Sequence, residues 1–229
     1  LNCEKIGEVT DTKMLEFYFK GKCIAHLPAE SLILGGGAPV YEREYSQPEY
    51  YESYKKFNIS SILPPEDLID TAMHIIKLPN IASKRWIYEQ YDSMVGTINM
   101  STNAPSDAAV VDLRDTNKAL ALTVDCNARY VKADPKVGCA IAVSEAARNI
   151  VCSGGKPLAI TNCLNFGNPE KEVVMGQFIE TINGISQACA YLDFPVVSGN
   201  VSFYNETQNK SIPPTPTIGG VGLIKNLNL

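Results

Sequence analysis

Residues 194–207 read F-P-V-V-S-G-N-V-S-F-Y-N-E-T, and the reading of this stretch decides how the rest of the chain is organised. The apolar run 194–197 stops at Ser198-Gly199-Asn200, and Val201 precedes Ser202. Apolar residues that end in polar, Gly-bearing punctuation predict a buried strand passing into a polar turn. Gly199 lets another chain segment or a ligand come close, or takes φ > 0, where a Cβ would obstruct. Asn200 offers a carbonyl oxygen suited to a hard cation such as magnesium. Ser202 offers a hydroxyl donor. Gly-Asn is also ordinary turn chemistry, so spacing alone leaves a plain strand-to-loop turn open beside a ligand site.

Working outward, residues 157–169 (P-L-A-I-T-N-C-L-N-F-G-N-P) repeat the pattern, with a predicted strand at 158–161. Residues 133–150 read A-D-P-K-V-G-C-A-I-A-V-S-E-A-A-R-N-I. Asp134 is a candidate N-cap and Pro135 suits the first helical position. Ala140, Val143, Ala147, Ile150 and Val151 form the expected apolar stripe, and Gly154-Gly155 ends the helix. A second helix is expected from Asn168-Pro169, with Met175, Phe178, Ile179, Ile182, Ile185, Cys189 and Leu192 as core positions. Further strands are expected at 86–94, 108–113, 120–124 and 217–224. Gly219-Gly220-x-Gly222 suits close packing in the last of these. Strands paired with two long helices make an α/β layer, open on one face until something covers it.

The amino-terminal part reads differently. Residues 14–19 and 23–27 around Lys20-Gly21-Lys22 predict a hairpin. Gly35-Gly36-Gly37 lacks the Lys-Ser or Lys-Thr of a phosphate loop and reads as a flexible joint. Residues 41–61 form a tyrosine-bearing linker, and Pro64-Pro65 opens a helix through about residue 77. His26 and His74 read as structural, without sequence neighbours that would make them catalytic.

Composition narrows the function classes. The chain has 229 residues, 45% of them hydrophobic, with a formal net charge of −5 and pI about 5.1. That charge does not suit a nucleic-acid surface. No apolar run approaches the ~18 residues of a membrane span, and no charged segment leads into an apolar signal core. Seven cysteines without a C-x-x-C pair predict buried free thiols in a reducing compartment, hence the cytoplasm. Both histidines precede the main domain, which leaves a Ser-His-Asp or Cys-His arrangement without a local base. Asp125 and Asp134 could be a carboxylate pair, although N-capping explains Asp134. Cys126 and Cys163 flank expected turns without partners for zinc or nucleophilic chemistry.

Taken together, residues 133–150, 157–169 and 194–207 resemble the synthetase subunit of phosphoribosylformylglycinamidine synthase, small type, in the second half of that enzyme. The resemblance covers almost the whole chain and is strongest between residues 83 and 224. It implies an α/β (α+β) fold, a mixed sheet covered by two long helices in the manner of the aminoimidazole ribonucleotide synthetase amino-terminal domain, with a β-hairpin appendage. It implies three parts: 1–40, the end of a preceding domain; 41–82, a linker with one helix; and 83–229, the ATP-site domain. It implies an ATP-dependent ligase that converts formylglycinamide ribonucleotide and glutamine-derived ammonia to the amidine in purine biosynthesis. ATP and Mg2+ are the implied cofactors. The implied contacts are Asn162 and Gly199 to ATP, Asn200 to magnesium and Ser202 to the substrate.

Two departures qualify the resemblance. Asn162 stands where the family usually has Asp, which keeps an acceptor and loses a charge. The Lys, Glu and His cluster of the family's first half has no counterpart in the matching residues 122–127, L-T-V-D-C-N. The chain is therefore expected to be a fragment with one wall of the site, inactive alone. Its expected partners are the missing first half, a glutaminase subunit and a small adapter subunit, with self-association of the fragment as a further expectation. A non-catalytic nucleotide-binding or assembly domain, or a related synthetase with another substrate, remains open.

Overall fold

The computed structural model describes residues 4–32, 40–91, 95–100 and 106–227. The chain divides into two compact units, Leu1–Glu42 and Arg43–Leu229. The first holds an antiparallel hairpin of β1 (Met14–Phe19) and β2 (Lys22–Pro28). Lys20 and Gly21 both take positive φ, 48° and 77°, the two-residue turn that matches strand twist. The expected joint at Gly35-Gly36-Gly37 lies outside the described residues.

In the second unit three short helices come first: α1 (Tyr51–Lys55), α2 (Leu68–Ile75) and α3 (Arg85–Tyr88). Helix α2 starts later than Pro64-Pro65 because Asp67 is the cap, its carboxylate accepting from the Ile69 and Asp70 amides at 2.8 and 2.9 Å. The strand expected at 86–94 is a correction: residues 85–88 are helical, stabilised by the Arg85–Glu89 pair one turn apart, and 92–94 lie outside the described residues.

A five-stranded mixed sheet follows, in the order β3-β4-β9-β5-β6. Its strands are β3 (Ala109–Leu113), β4 (Lys118–Asp125), β5 (Lys156–Asn165), β6 (Val196–Ser202) and β9 (Thr215–Ile224), with a small hairpin of β7 (Glu206–Thr207) and β8 (Lys210–Ser211) between the last two. Only the β5–β6 pair is parallel, so the long helix α6 (Glu172–Leu192) serves as the crossover between them. Between β4 and β5 lie α4 (Ala128–Ala133), which the sequence pattern did not reveal, and α5 (Pro135–Cys152). Asn127 caps α4 and Asp134 caps α5, the latter accepting from Val137 N at 3.0 Å.

Helix α5 packs on β4, β9 and β5, and α6 packs along α5. The buried face of α5 is Gly138, Cys139, Ala142, Val143, Ala146, Ala147 and Ile150. That face is rotated from the expected stripe, since Val151 is exposed and Ala140 only partly buried. Small residues let the backbones approach: a Cβ on Gly222 would sit 2.2 Å from Ile150 Cγ2. Helix α6 likewise buries Gly176, Thr181, Gly184 and Ile185, with Ile182 and Leu192 exposed at its back. It begins at Glu172 rather than Asn168-Pro169, where the Asn168 side chain instead closes a turn on Glu170 N at 2.8 Å. Phe166, Phe178 and Phe203 join this helix to the ends of β5 and β6, with centroid separations of 5.0–6.4 Å.

Two further corrections bear on the site. The strand of the opening stretch does not break at Ser198-Gly199-Asn200; β6 runs through them to Ser202, and the chain turns at Phe203–Asn205, with Tyr204 at φ 60°. Nor is β6 buried: it is the sheet's edge, and only Phe194, ahead of it, is fully covered. The thiols also differ from expectation. Cys139 and Cys189 are buried, whereas Cys23, Cys126, Cys152 and Cys163 are exposed.

Candidate functional site

Strand pairing puts the four sequence-predicted residues on two neighbouring strands. Asn162 faces Gly199 across the parallel ladder, Cys163 faces Asn200, and Asn165 faces Ser202. Sidedness then divides them. Ile160 and Leu164 are buried under the helices, so Asn162, with the same parity, turns to the helix side, and Cys163 to the open side. Parallel partners share a face, so Gly199 goes with Asn162, whereas Asn200 and Ser202 lie on the open face.

Gly199 is extended rather than left-handed, and its role is close approach. A Cβ there would lie 2.1 Å from Asn162 Oδ1 and 2.7 Å from Asn162 O. The Asn162 amide therefore lies across the bare backbone of Gly199. The two faces meet at the outer edge of β6. Ser202 O accepts from Phe166 N at 3.0 Å, so the peptide groups of Ser198, Asn200 and Ser202 point into the sheet and those of Gly199 and Val201 point outward along the free edge. A ligand contacting all four predicted residues has to bridge that edge at Gly199.

The open face over the ends of β5 and β6 is polar and uncharged. Ser198 Oγ donates to Thr161 Oγ1 at 2.8 Å, and Asn165 Nδ2 donates to Cys163 O and Thr215 O at 3.1 and 3.3 Å. Beyond the strand ends sits a lock that the sequence pattern did not single out. Asn205 Nδ2 donates to Phe166 O at 2.9 Å and to Ser202 O at 3.0 Å, tying the two strands together beside the Ser202 hydroxyl. Glu206 Oε1 accepts from Lys171 Nζ at 2.7 Å, Ser211 Oγ at 2.6 Å and Asn168 N at 3.2 Å. The Lys171 and Ser211 hydrogen bonds hold the Glu206 carboxyl down to about 2. The only sequence signal for this lock was N-E-T at 205–207, three polar residues directly after a strand.

The other ionisable candidates are engaged elsewhere. Asp134 caps α5, and Asp125 is buried beneath it, with Oδ1 accepting from Asn149 Nδ2 at 3.0 Å. Burial pushes the Asp125 carboxyl up. The two do not act as a pair. His26 lies 3.4 Å from Glu16 in the first unit. Among the described residues, no group of three or more His, Cys, Asp or Glu could hold a metal ion, and no helix is long and apolar enough to cross a membrane.

A family profile described as "AIR synthase related protein, N-terminal domain" matches residues 105–224. The phosphoribosylformylglycinamidine synthase subunit PurL of Alkaliphilus metalliredigens is 52% identical over 223 residues, which is 97% of this chain and 30% of that protein. Among solved structures, T. maritima PurL complexed with AMPPCP aligns at TM-score 0.63 and 28% identity, over 94% of this chain and 33% of that one. The structure of PurLQS from Thermotoga maritima aligns at TM-score 0.62 and 28% identity, over 95% of this chain and 33% of that one. This chain thus spans about a third of the length of the proteins it matches.

Proposed function

Because this chain belongs to the AIR synthase related family, we propose that it supplies one wall of the nucleotide site of an ATP-dependent carbon–nitrogen ligase. The reaction joins ammonia, released from glutamine, to formylglycinamide ribonucleotide in purine biosynthesis. The observation that carries this reading is the juxtaposition of Asn162 with Gly199 and of Asn200 and Ser202 on the adjoining open face. The relatives carry the same chemistry in their names: synthase subunit, and complexes with ATP and AMPPCP.

On this reading residues 83–229 form the ATP-site domain, 41–82 the linker and 1–40 the end of a preceding domain. Gly199 and Asn162 hold the nucleotide through the bare edge and the amide, and Ser202, steadied by Asn205, donates to the substrate. A magnesium ion prefers six oxygens, usually including a carboxylate and phosphates. Residues 161–165 and 198–202 contain no carboxylate, so this stretch would offer that ion a neutral oxygen, the Asn200 amide, and no charge. The ion's charge neutralisation belongs to a shared site. For the same reason the fragment orients ligands rather than turning them over alone. The first half of the longer protein, a glutaminase subunit and a small adapter subunit complete the assembly, in the cytoplasm.

One observation favours a second reading, a domain that holds a nucleotide without using it: residues 161–165 and 198–202 carry no Lys, Arg, His, Asp or Glu. Titration calorimetry of the chain with ATP and ADP, with and without magnesium, tests binding; a chain that binds neither refutes the shared-wall reading. In the full-length enzyme, Asn200→Ala should lower turnover. Unchanged turnover with unchanged binding would leave the holding role standing instead.

A further inference from the structure

A sheet face that stays in water takes Lys and Glu, and a face covered by another layer takes Val, Ile and Leu. The open face of this sheet is partly of the second kind, with Leu122 and Val124 exposed on it. Over the carboxy-terminal halves of β5 and β6 it is neither. Three parallel rungs stand there, Thr161 with Ser198, Cys163 with Asn200, and Asn165 with Ser202. On the other side of β5, Thr217 and Thr215 of β9 face Cys163 and Asn165. All of these side chains are short, neutral and able to hydrogen-bond. Such a strip suits a face covered by something polar.

The third rung is already spoken for. Ser202 is engaged with Asn205, and Asn165 lies down on Cys163 and Thr215. The first rung is different. Ser198 Oγ donates to Thr161 Oγ1 at 2.8 Å, which leaves the Thr161 proton free for an outside acceptor. Both residues are exposed. Rungs two residues apart are about 6.6 Å apart along a strand, so the strip runs about 13 Å from Thr161 to Asn165.

We propose that the Thr161–Ser198 hydroxyl pair is a phosphate-binding subsite at the far end of this strip, taking a phosphate ester that lies along β5 and β6. Thr161 donates to a phosphate oxygen while Ser198 fixes its orientation. The strip is neutral, so the subsite gains from charge-assisted hydrogen bonds and leaves the phosphate charge to be balanced elsewhere. This assignment rests on the nucleotide-site reading above. It adds two residues that reading did not include and places the ligand on the open face.

Calorimetry on the chain tests it, with ADP, ribose 5-phosphate and inorganic phosphate as probes. Thr161→Val keeps the shape and removes the hydroxyl, and should weaken one of the esters about tenfold, the worth of one hydrogen bond to a charged group. Thr161→Ser should restore affinity, which a purely structural role for the side chain would not do. Loss confined to ADP assigns the subsite to the nucleotide; loss confined to ribose 5-phosphate assigns it to the sugar-phosphate substrate. If Thr161→Val and Ser198→Ala bind all three probes like the parent while Ser202→Ala binds less, the subsite is wrong and the site reading survives. If the parent chain binds none of the probes, the site reading fails and the subsite with it.

Discussion

Replacing Gly199 by Ala probes the contact on which the site depends. The new Cβ would stand 2.1 Å from Asn162 Oδ1, 2.7 Å from Asn162 O and 3.1 Å from Asn162 Cγ. An ordinary carbon–oxygen contact is about 3.3 Å. The amide oxygen therefore has to retreat by more than about 1 Å and the carbonyl by roughly half that. The two adjustments differ in kind. Oδ1 is at the end of a rotatable side chain, and turning it off its present rotamer costs about 0.5–1.5 kcal/mol. The carbonyl belongs to β5, which is held on its other side by β9, so moving it strains two ladders. Overpacking of this type costs about 1–3 kcal/mol. Asn162→Ala alone removes a partly exposed amide and should cost less. In the double variant the side-chain clash is gone and the carbonyl clash remains, so the pair should couple favourably by about 0.5 kcal/mol or more. Urea unfolding reads this directly: with a slope near 2 kcal/mol/M, the single glycine variant should lose about 0.5–1.5 M in midpoint. A midpoint unchanged by Gly199→Ala, or additive effects in the double variant, would refute the close-approach argument.

The remaining expectations concern other parts of the same unit. The depressed Glu206 carboxyl contributes stability that is fully present above its usual 4.5 and is lost as pH falls toward 2; thermal melts over that window should show a smaller acid loss for Glu206→Gln than for the parent. Asp134→Ala removes the side-chain acceptor for Val137 N and should cost about 0.5–2 kcal/mol in the same urea assay. Burial pushes the Cys139 thiol up to about 12, so iodoacetamide at pH 8 should leave Cys139 unmodified in the folded chain and alkylate Cys126, Cys152 and Cys163; mass mapping of Cys139 adducts without unfolding would contradict its place between α5 and α6.

Element type was legible wherever one residue had one strong local reason. Asp134-Pro135 at the start of α5 and Lys20-Gly21 in the hairpin are such cases, and both elements lie where the pattern puts them. The failures share a cause. Residues 86–88 are apolar and aromatic, which reads as strand, but they form one helical turn, closed by Glu89 N donating to Arg85 O at 3.0 Å and accompanied by the Arg85–Glu89 pair, which is visible only once a helix is assumed. The stripe expected on α5 follows its apolar residues alone, Ala140 and Val151 included. The packing selects a face of mostly small residues instead, Gly138, Ala142 and Ala146 among them, with Ile150 seated against the bare backbone of Gly220 and Gly222 on β9.

The site shows the same limit in sharper form. Asn162, Gly199, Asn200 and Ser202 could be picked out as residues, and their neighbourhood follows once β5 and β6 pair in parallel. Their division between two faces was hidden by reading Ser198-Gly199-Asn200 as a turn, since a turn has no alternation. In a continuous strand, neighbours in sequence point apart, so Gly199 and Asn200 cannot present side-chain positions to the same side of the sheet. What joins them is the unpaired edge of β6, where the Gly199 peptide faces outward and no Cβ stands in the way. The glycine therefore matters twice, once for the Asn162 amide that lies over it and once for the edge it leaves open. A ligand reaching both Asn162 and Asn200 must pass that edge, while one confined to the open face meets Asn200, Ser202 and the Thr161–Ser198 pair and never touches the Asn162 side chain. Binding measured on Asn162→Ala beside Thr161→Val separates the two paths: an effect of both substitutions places the ligand around the edge, and an effect of Thr161→Val alone places it along the strip.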